Sequence, residues 1–314
     1  MNKKLRPVVV ITTKDRPALL AKAIESVLVQ TVNCQLVVVD DGSADLETQD
    51  LVTSRYPNIV FRRNRQPLGI IKARNAAVEL YEGDIVFTLD DDAVFGQADL
   101  VANVLKDFEI PFVGMVTIPV IDHIPDRPCR QRLPINEKRA SDYLCSHSFS
   151  GGANAIRLDA FKSIGGYIGD GRQGEERGLA IRMIENGLFV KVAECCHIDH
   201  YPCVIKGKSK KVHYFNIRNS IIFGWMLVPM PQLLLHIVGT LITHCISAIK
   251  QYSLLQFLMG LGSGLFSFFQ YCQYRKPVSS SVYSCYRALA SAKTFPVSQL
   301  LMECQRAGIK LNQS

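Results

Sequence analysis

Residues 84–96 read DIVFTLDDDAVFG, in which five mostly apolar residues lead into three consecutive aspartates, Asp90, Asp91 and Asp92. The apolar run predicts a buried strand, and the aspartates stand where that strand would end. Neighbouring carboxylates repel one another, and each desolvated one costs several kcal/mol unless something neutralises it. A solvated turn, basic partners or a divalent cation could do so, and the rest of the sequence helps to choose between them.

Upstream of this stretch, strand-like and helix-like segments alternate. RPVVVIT (6–12), QLVVVDDGS (35–43) and NIVFRRN (58–64) are short apolar runs that predict buried strands. Residues 16–30 and 69–81 carry apolar side chains at helical spacing and predict amphipathic helices. The alternation is typical of an α/β fold with a mostly parallel central sheet and flanking helices.

The predicted strand ends carry polar clusters: TTKDR (12–16), DDGS (40–43) and LDDDA (89–93). Ligands bind such sheets outside the carboxyl ends of the strands, so all three clusters should face one crevice. Because side chains alternate along a strand, we expect Asp90 and Asp92 on one face and Asp91 on the other. Two carboxylates on one face suit Mg²⁺ or Mn²⁺ shared with phosphate oxygens.

The overall composition is that of a globular protein with a sizeable core. The chain has 314 residues, of which 48% are apolar and 20% are charged, enough for one large domain or two ordinary ones. Its ten cysteines show neither a CxxC pair nor metal-ligand spacing, which predicts a reduced, cytosolic chain. The apolar run near the start is shorter than the roughly 7–15 residues of a signal peptide, so we expect none.

Positive charge is concentrated in the C-terminal third of the chain. From Lys206 onward there are 12 basic residues and one acid, Glu303, whereas residues 1–205 hold 24 basic and 27 acidic residues. The same third contains two apolar segments, 231–249 and 253–274, each close to the ~20 residues of a membrane-spanning helix.

Basic charge combined with apolar surface predicts contact with an anionic membrane surface. Basic residues flank the apolar stretch at 206–211 and 275–276, so both of its ends should lie on the cytoplasmic side, as a hairpin or as interfacial helices. Buried core helices of a soluble protein are the alternative. Nucleic-acid binding is not expected, because no known nucleic-acid-binding module appears. The predicted location is the cytoplasm, at the inner face of the membrane.

Five ordered motifs resemble those of the family 2 glycosyltransferases, which have the Rossmann-like GT-A fold. They are VVVITTKDRPALLAKAIESVLVQ, LVVVDDGSAD, GIIKARNAAVELYEGDIVFTLDDDA, GGANAIRLDAFKSIGGY and GEERGLAIRMIENG. The resemblance implies a nucleotide-sugar transferase domain at residues 1–220, and the charge and apolar composition predict a basic, apolar helical region for membrane association at 221–314. The resemblance further implies a nucleotide-diphosphate sugar donor, a glycan or lipid-linked acceptor in surface-polysaccharide biosynthesis, and a divalent metal, Mn²⁺ or Mg²⁺, as cofactor.

The resemblance also implies roles for individual residues. Those at the nucleotide sugar are Thr12, Thr13, Arg16, Asp40, Asp41, Arg74, Asp90 and Asp91. Asp90 and Asp92, which form the DxD motif, and His200 in HIDHYP are the implied metal ligands. Two structural alternatives stay open: an Asx turn at residues 40–43, and a histidine at 200 that only satisfies its protein neighbours.

The motif GEERGLAIRMIENG, residues 174–187, carries the implied general base. The family pattern has Gly-Glu-Asp followed by x-Asp-Leu; here Glu175 and Glu176 follow the glycine, and Gly178 replaces the later acid. Glu176 is the implied base that accepts the proton of the acceptor hydroxyl, and Glu175 is the second choice. An acidic first helical turn, stabilised by the helix dipole, is the alternative.

The implied reaction is a single in-line displacement that inverts the anomeric centre. No QxxRW sequence follows the base motif, so transfer of one sugar is expected rather than polymer extrusion. A sugar nucleotidyltransferase is a rival function, but ITTKDRP lacks the glycine-rich loop that it would need. A scaffold protein that kept the fold without its activity is a second rival, which the missing acid at Gly178 leaves open. The sequence identifies neither the sugar nor the acceptor.

Overall fold

A computed structural model describes residues 4–77, 80–168, 175–202 and 208–312. The strands are β1 (Pro7–Thr13), β2 (Gln35–Asp40), β3 (Val60–Arg63), β4 (Ile85–Asp90), β5 (Ala93–Phe95), β6 (Val113–Thr117), β7 (Val120–Asp122), β8 (Arg130–Gln131), β9 (Leu144–Ser146), β10 (Ala153–Arg157), β11 (Phe189–Val192), β12 (Ile198–His200) and β13 (Thr294–Pro296). The helices are α1 (Pro17–Leu28), α2 (Glu47–Arg55), α3 (Ile70–Ala77), α4 (Leu100–Asp107), α5 (Leu158–Ser163), α6 (Glu175–Glu185), α7 (Lys208–Leu227), α8 (Met230–Lys250), α9 (Leu254–Tyr271), α10 (Ser280–Leu289) and α11 (Val297–Ala307).

Nine of the thirteen described strands form the central sheet, in the order β13-β9-β11-β6-β10-β4-β1-β2-β3. The four strands predicted from the sequence, β1 to β4, are all present and run parallel to one another. The other half of the sheet is mixed, because β10 lies antiparallel between β4 and β6, and β9 is antiparallel to both β11 and β13. The predicted α/β class with a large central sheet and flanking helices is therefore confirmed.

Both faces of the sheet are covered, as the continuous apolar strands predict. Val9 and Ile11 of β1 belong to the core that contains the buried side of α1 and α4. Val8 and Val10 point the other way, into a core shared with α3, α5 and α6. The strand register sets Thr12 of β1 opposite Asp90 of β4. Thr13 lies opposite Asp40 of β2, so the three polar strand ends meet at one edge, as predicted.

A smaller sheet, in the order β5-β12-β7-β8, stands beside this edge. Its strand β5 begins directly after the aspartate triplet, and its strand β12 ends at His200. In the register, His200 is opposite Ala93 on one side and Asp122 on the other. The small sheet therefore brings His200 to the triplet from 108 positions further along the chain.

Much of the C-terminal region is joined to the central sheet. The predicted boundary between residues 220 and 221 falls inside α7, and β13 pairs with β9. Side chains of α10 and α11 share one core with α6 and α7. By contrast, α8 and α9 pack mainly on α7 and leave many large apolar side chains exposed. Whether residues 221–314 act as a membrane-association region stays a prediction.

A buried ionic cluster fastens the segment before β9 to the sheet. The Lys191 Nζ atom lies 2.9 Å from Asp107 Oδ1 and 2.7 Å from Glu194 Oε2, and Lys191 is 1% exposed. Arg139 donates to the same Asp107 oxygen at 2.6 Å. Burial raises the pKa of Asp107 despite these two cations. The charged form of the buried carboxylates in this cluster is therefore stabilised by Lys191 and Arg139.

Lys191→Met is expected to lower the free energy of unfolding by about 3–5 kcal/mol, because it leaves buried carboxylates without their cation. Urea denaturation measures this loss. The matched control is Arg55→Met, which breaks an exposed pair with Glu25 and should cost at most about 1 kcal/mol. Equal losses in the two variants would contradict the role assigned to the buried cluster.

Candidate active site

Two arginines neutralise the aspartate triplet in the structure. Arg74, on α3, donates from Nη2 to Asp90 Oδ1 at 2.9 Å. Arg16, which immediately precedes α1, places Nη1 3.0 Å from Asp91 Oδ1 and 3.0 Å from Asp92 Oδ2. Both arginines were predicted at this site. Their charge offsets the mutual repulsion of the three carboxylates, and their guanidinium groups are of the kind that also binds phosphate oxygens.

The alternation predicted for the triplet is wrong. Asp91 and Asp92 share Arg16, whereas Asp90 turns to Arg74. The physical reason is that β4 ends at Asp90, so the two-residue periodicity of the strand stops there. Thr13 Oγ1 donates to Asp91 Oδ2 at 2.8 Å, which holds this side chain inside the protein. Burial raises the pKa of Asp91, against the opposing effects of Thr13 and Arg16.

His200 lies against Asp92, and its role as a metal ligand stays a prediction beside the alternative that it only satisfies its protein neighbours. Its Nε2 atom is 3.3 Å from Asp92 Oδ1, and its Nδ1 atom is 2.7 Å from Asp122 Oδ1. Burial alone would lower the pKa of His200, but the hydrogen bonds with Asp92 and Asp122 outweigh it and raise the pKa. Burial would likewise raise the pKa of Asp92, yet His200 and Arg16 bring the net shift below the usual value.

Asp92 and His200 can form one side of a metal site. Carboxylate oxygens suit Mg²⁺ and Mn²⁺, which commonly take their remaining ligands from water and substrate phosphate. Within the described residues, no group of three or more His, Cys, Asp or Glu side chains is placed to hold an ion. Asp90, the third predicted ligand, pairs with Arg74 instead, so a metal held by Asp92 and His200 would need further ligands from water or a bound diphosphate.

Two glycines link the triplet to the predicted base. A Cβ atom on Gly152 would stand 1.9 Å from Asp90 Oδ2. A Cβ atom on Gly151 would stand 2.8 Å from Arg74 Nη1 and 3.2 Å from Glu176 Oε1. These glycines, which open the motif GGANAIR, therefore form a thin wall that Asp90, Arg74 and Glu176 all touch. Residues more than eighty positions apart in the chain meet there.

Glu176 lines a cavity of about 390 Å³, here called the Glu176 cavity. Its walls come from α6, the ends of β6 and β9, the loop between β9 and β10, and two basic side chains. Its residues include Thr117, Val120, Arg132, Ser146, His147, Ser148, Phe149, Gly151, Glu176 and Lys293. The volume lies in the range typical of small-ligand sites. The cavity can therefore take a sugar-sized group next to a carboxylate.

Sequence reasoning missed the contribution of the C-terminal segment to this cavity. Lys293 comes from the turn before β13, and its carbonyl accepts from Ser146 Oγ at 3.0 Å. His147 Nδ1 lies 3.0 Å from the carbonyl of Ala292. Burial lowers the pKa of His147, so its imidazole is neutral near pH 7. The pairing of β13 with β9 brings Lys293 and Ala292 next to Ser146 and His147. No local pattern in the sequence predicts that pairing.

Of the two candidate bases, the structure describes the side chain of Glu176, and Glu175 stays the second candidate. Glu176 faces the Glu176 cavity, whereas the side chain of Glu175 lies outside the described part of the structure, as does Gly174. Gly178, which stands where the family pattern has an acid, faces α7: a Cβ there would lie 3.5 Å from Leu227. This chain therefore packs α6 against α7 at the position of the missing acid.

Asp40 and Asp41 shape the loop at the end of β2. Asp40 Oδ1 accepts from the backbone N–H of Ser43 at 2.8 Å and from its hydroxyl at 2.7 Å, which is the expected Asx-type turn. Asp41 accepts from the backbone N–H groups of Leu68 and Gly69 at 2.8 and 3.0 Å, just before α3. Asp41 thus positions the helix that carries Arg74. Contact of either acid with a nucleotide stays a prediction, as it does for Thr12.

Comparison with known proteins places the chain among sugar-transferring enzymes. The family model described as Glycosyl transferase family 2 matches residues 8–165. The O-antigen chain rhamnosyltransferase RfbN of Salmonella typhimurium is 23% identical over 203 residues, which cover 59% of this chain and 62% of RfbN. The chain spans less than two thirds of the length of the curated relatives that it matches.

Two solved structures share the fold over nearly the whole chain. S. aureus TarS 1–349 in complex with UDP-GlcNAc matches with a TM-score of 0.60 and 14% identity, covering 99% of this chain and 98% of that chain. The mannosyltransferase PcManGT from Pyrobaculum calidifontis, in complex with GDP-Man and Mn²⁺, gives 0.54 and 16%, with coverages of 98% and 88%. At these identities the likeness concerns the fold, and it confirms the expected architecture.

Proposed function

Because the chain belongs to glycosyltransferase family 2, we propose that it moves one sugar from a nucleotide-diphosphate donor to an acceptor hydroxyl, with inversion of the anomeric centre. The observation that carries the proposal is the wall formed by Gly151 and Gly152. It sets the carboxylate of Glu176 next to the Arg74–Asp90 pair at the carboxyl edge of the sheet. A direct displacement requires a base for the attacking hydroxyl beside a cation, here Arg74, that stabilises the departing diphosphate.

The donor is proposed to bind along the strand edge. Arg16 and Arg74 would contact diphosphate oxygens, since guanidinium groups bind phosphate through charge-assisted hydrogen bonds. Asp92 and His200 would hold a divalent metal, and the metal would supply charge stabilisation for the departing diphosphate. The complexes of TarS with UDP-GlcNAc and of PcManGT with GDP-Man and Mn²⁺ support this class of donor and metal.

The acceptor is proposed to occupy the Glu176 cavity, with its hydroxyl within hydrogen-bond reach of Glu176. The carboxylate would take the hydroxyl proton as the oxygen attacks the anomeric carbon, because proton removal makes the oxygen a better nucleophile. Lys293 on the wall of this cavity favours an acceptor that carries oxygen acceptors or negative charge, whereas Arg132 on the same wall is already paired with Asp122. The name of RfbN, an O-antigen chain rhamnosyltransferase, supports a glycan acceptor in surface-polysaccharide assembly, and we propose that this glycan is lipid-linked.

A screen of nucleotide-diphosphate sugars in the presence of Mn²⁺, scored by release of the nucleoside diphosphate, tests the proposal. Turnover of at least one donor by the wild type, and its loss in Asp92→Ala, is the expected result. Binding of donors without any turnover, even with membrane fractions added as the acceptor source, would instead favour the scaffold function.

Gly152→Ala is expected to reduce donor affinity at least about tenfold, because its Cβ would occupy the place of the Asp90 carboxylate and break the bond to Arg74. Donor binding measured by calorimetry checks this prediction. Gly262→Ala on α9 is the control, since nothing lies within 4 Å of the added carbon. Equal affinities in the two variants would show that the wall does not shape the donor site.

The exposed apolar surface of α8 and α9 supports the proposed contact with a membrane. Among the described helices, α8 alone is long and apolar enough to cross a bilayer, and only 11% of its apolar window is buried. The exposed side chains follow helical spacing: Leu234, Val238, Ile242, Ile246 and Ile249 on α8, and Leu255, Leu258, Met259, Phe266 and Phe269 on α9. We call this surface the apolar stripe.

The opposite side of α8 carries His236, Thr240 and His244 and lines a polar cavity, so α8 is amphipathic. An amphipathic helix in a region with 12 basic residues and one acid is suited to lie in the interface of an anionic bilayer. The proposed location is therefore the cytoplasmic face of the membrane, with the apolar stripe in contact with lipid.

Leu258→Ser combined with Phe269→Ser is expected to lower vesicle binding roughly a hundredfold, because burying each apolar side chain contributes about 1.5 kcal/mol or more. Co-sedimentation with vesicles of phosphatidylcholine and phosphatidylglycerol measures this change. Leu46→Ser, which removes an exposed leucine outside the apolar stripe, is the control. If the double variant and this control bind vesicles equally, α8 and α9 do not mediate the contact.

A further inference from the structure

A second cavity, of about 470 Å³, lies on the other side of the base helix, enclosed by α6, α7, α8 and α10. We call it the Arg177 cavity. The residues that matter here are Arg177, Ser220, His236, His244, Tyr283 and Arg287. None of them takes part in the reaction proposed above. The cavity is lined mainly by polar groups although it lies directly behind the apolar stripe.

The Arg177 cavity carries positive charge. Arg177 and Arg287 both line it, and no Asp or Glu is among the described residues of its wall. Helices α7 to α10 contain no acidic residue at all. Among the side chains that the structure describes, none of the ion pairs involves Arg177 or Arg287. Two arginines that converge on a cavity with no acid among its described lining residues form a site for an anion, and phosphate matches their hydrogen-bond geometry.

Hydrogen bonds and stacking hold the cavity groups in place. Arg177 Nη2 donates to Ser220 Oγ at 3.1 Å, and its guanidinium carbon lies 5.4 Å from the centre of the Phe223 ring. Ser220 Oγ in turn lies 3.3 Å from His244 Nε2. His236 Nδ1 lies 3.0 Å from the Tyr283 hydroxyl. The polar groups are thus oriented before any ligand arrives, which lowers the entropic cost of binding.

The arginines supply the charge of this cavity at neutral pH. Burial lowers the pKa of His236 to about 4, and the nearby Arg177 and Arg287 act in the same direction. Burial also lowers the pKa of His244. Both imidazoles are therefore neutral near pH 7, where each offers one donor and one acceptor. Neutral imidazoles beside fixed guanidinium groups suit an anion that also carries hydroxyl or ester oxygens.

The position of the cavity connects it to both proposed surfaces. Successive residues of a helix point ~100° apart, so α6 presents Glu176 to one cavity and Arg177 to the other. The outer side of α8 carries the apolar stripe, and its inner side faces the Arg177 cavity. A group bound in the Arg177 cavity thus lies between the membrane-facing surface and the helix of the base.

We propose that the Arg177 cavity binds a phosphate or diphosphate group, and that this group is the head of a lipid whose chain lies along the apolar stripe. The inference rests on the proposed function, since it names the part of a lipid-linked acceptor that the protein holds. Arg177 and Arg287 bind the phosphate oxygens, and Tyr283 and the two histidines hydrogen-bond to the remaining oxygens.

Vesicle binding by the full chain tests the site. The probes are phosphatidylcholine vesicles with and without a minor fraction of polyprenyl phosphate, and inorganic pyrophosphate in solution. Arg177→Gln combined with Arg287→Gln is expected to lose about a hundredfold in affinity for the polyprenyl phosphate vesicles, roughly tenfold for each charge-assisted contact. Arg306→Gln, an exposed arginine on α11 outside the cavity, is the control and should bind like the wild type.

Arg287→Gln is also measured alone, because Arg287 is exposed and its loss should leave folding intact, whereas Arg177 packs on Phe223. If pyrophosphate binding depends on the arginines but vesicles with and without polyprenyl phosphate bind equally, the cavity is a phosphate site for a soluble anion. The lipid part of the proposal is then wrong. Equal binding of all probes by wild type and variants overturns the site. Donor turnover by the wild type is measured separately. If turnover is absent but phosphate binding still depends on the arginines, the transferase proposal fails and the phosphate site stands.

Discussion

Glu176→Gln is expected to lower kcat for sugar transfer by about 10²–10⁴-fold, the usual contribution of a positioned general base. Donor affinity should stay within a few-fold of the wild type, because Glu176 acts on the acceptor hydroxyl and glutamine keeps the shape of the side chain. Steady-state transfer kinetics give kcat, and calorimetric titration with the donor gives the affinity. A fall in kcat with unchanged donor binding is the combination that identifies a base.

Two further variants make this result decisive. Glu82→Gln, at an exposed position, should leave transfer unchanged and serves as the control. Glu175→Gln tests the second candidate on the same helix and should reduce kcat much less than Glu176→Gln. A large loss in Glu175→Gln with near-normal transfer by Glu176→Gln would move the base by one residue and contradict the assignment made from the Glu176 cavity.

Asp92→Asn should abolish the stimulation of donor binding by Mn²⁺, with a loss of affinity of about a hundredfold or more. Loss of an outer partner of a metal ligand already costs 10–100-fold, and loss of the ligand itself should cost at least as much. Asparagine keeps the size of the side chain but removes the charge that faces His200 and Arg16. Calorimetric titration of the donor with and without Mn²⁺ measures the effect.

Asp50→Asn on α2 is the matched control for this variant, because it removes one carboxylate at an exposed position. Its donor binding should respond to Mn²⁺ as the wild type does. If Asp92→Asn also keeps the full response to Mn²⁺, Asp92 is not a metal ligand. The pair formed by Asp92 and His200 would then be a structural contact only.

The N-terminal half of the sheet could be predicted because its signals are local. Each of β1 to β4 is a short apolar run that ends in polar residues, and the amphipathic pattern of α1 lies between two of them. Parallel strands in such a pattern bring their carboxyl ends together, so the meeting of Thr13, Asp40 and Asp90 followed from general rules of α/β sheets.

The other parts of the site depend on contacts between distant segments. The antiparallel insertion of β10 between β4 and β6 places Gly151 and Gly152 over Asp90 and Arg74, and no local pattern distinguishes it from a parallel strand. The arrival of Lys293 in the Glu176 cavity depends on β13, whose three residues carry no strand signal of their own.

The aspartate triplet shows where local reasoning failed. The period-two alternation of β4 does not continue past Asp90, because the strand ends at that residue and the chain turns. The partners of the three acids come from α3 and from the residue before α1, and these contacts override the alternation. Basic side chains thus offset part of the repulsion between the three carboxylates. A metal shared with the donor is proposed to offset the rest.

A crystal structure of the protein soaked with Mn²⁺ and a nucleotide-diphosphate sugar tests the account most directly. It should show the ion about 2.1 Å from a carboxylate oxygen of Asp92 and in contact with the diphosphate, and the sugar directed toward the Glu176 cavity. An unfilled strand edge, with Asp90 still bonded to Arg74 and Asp92 to Arg16 at saturating ligand, would contradict the account.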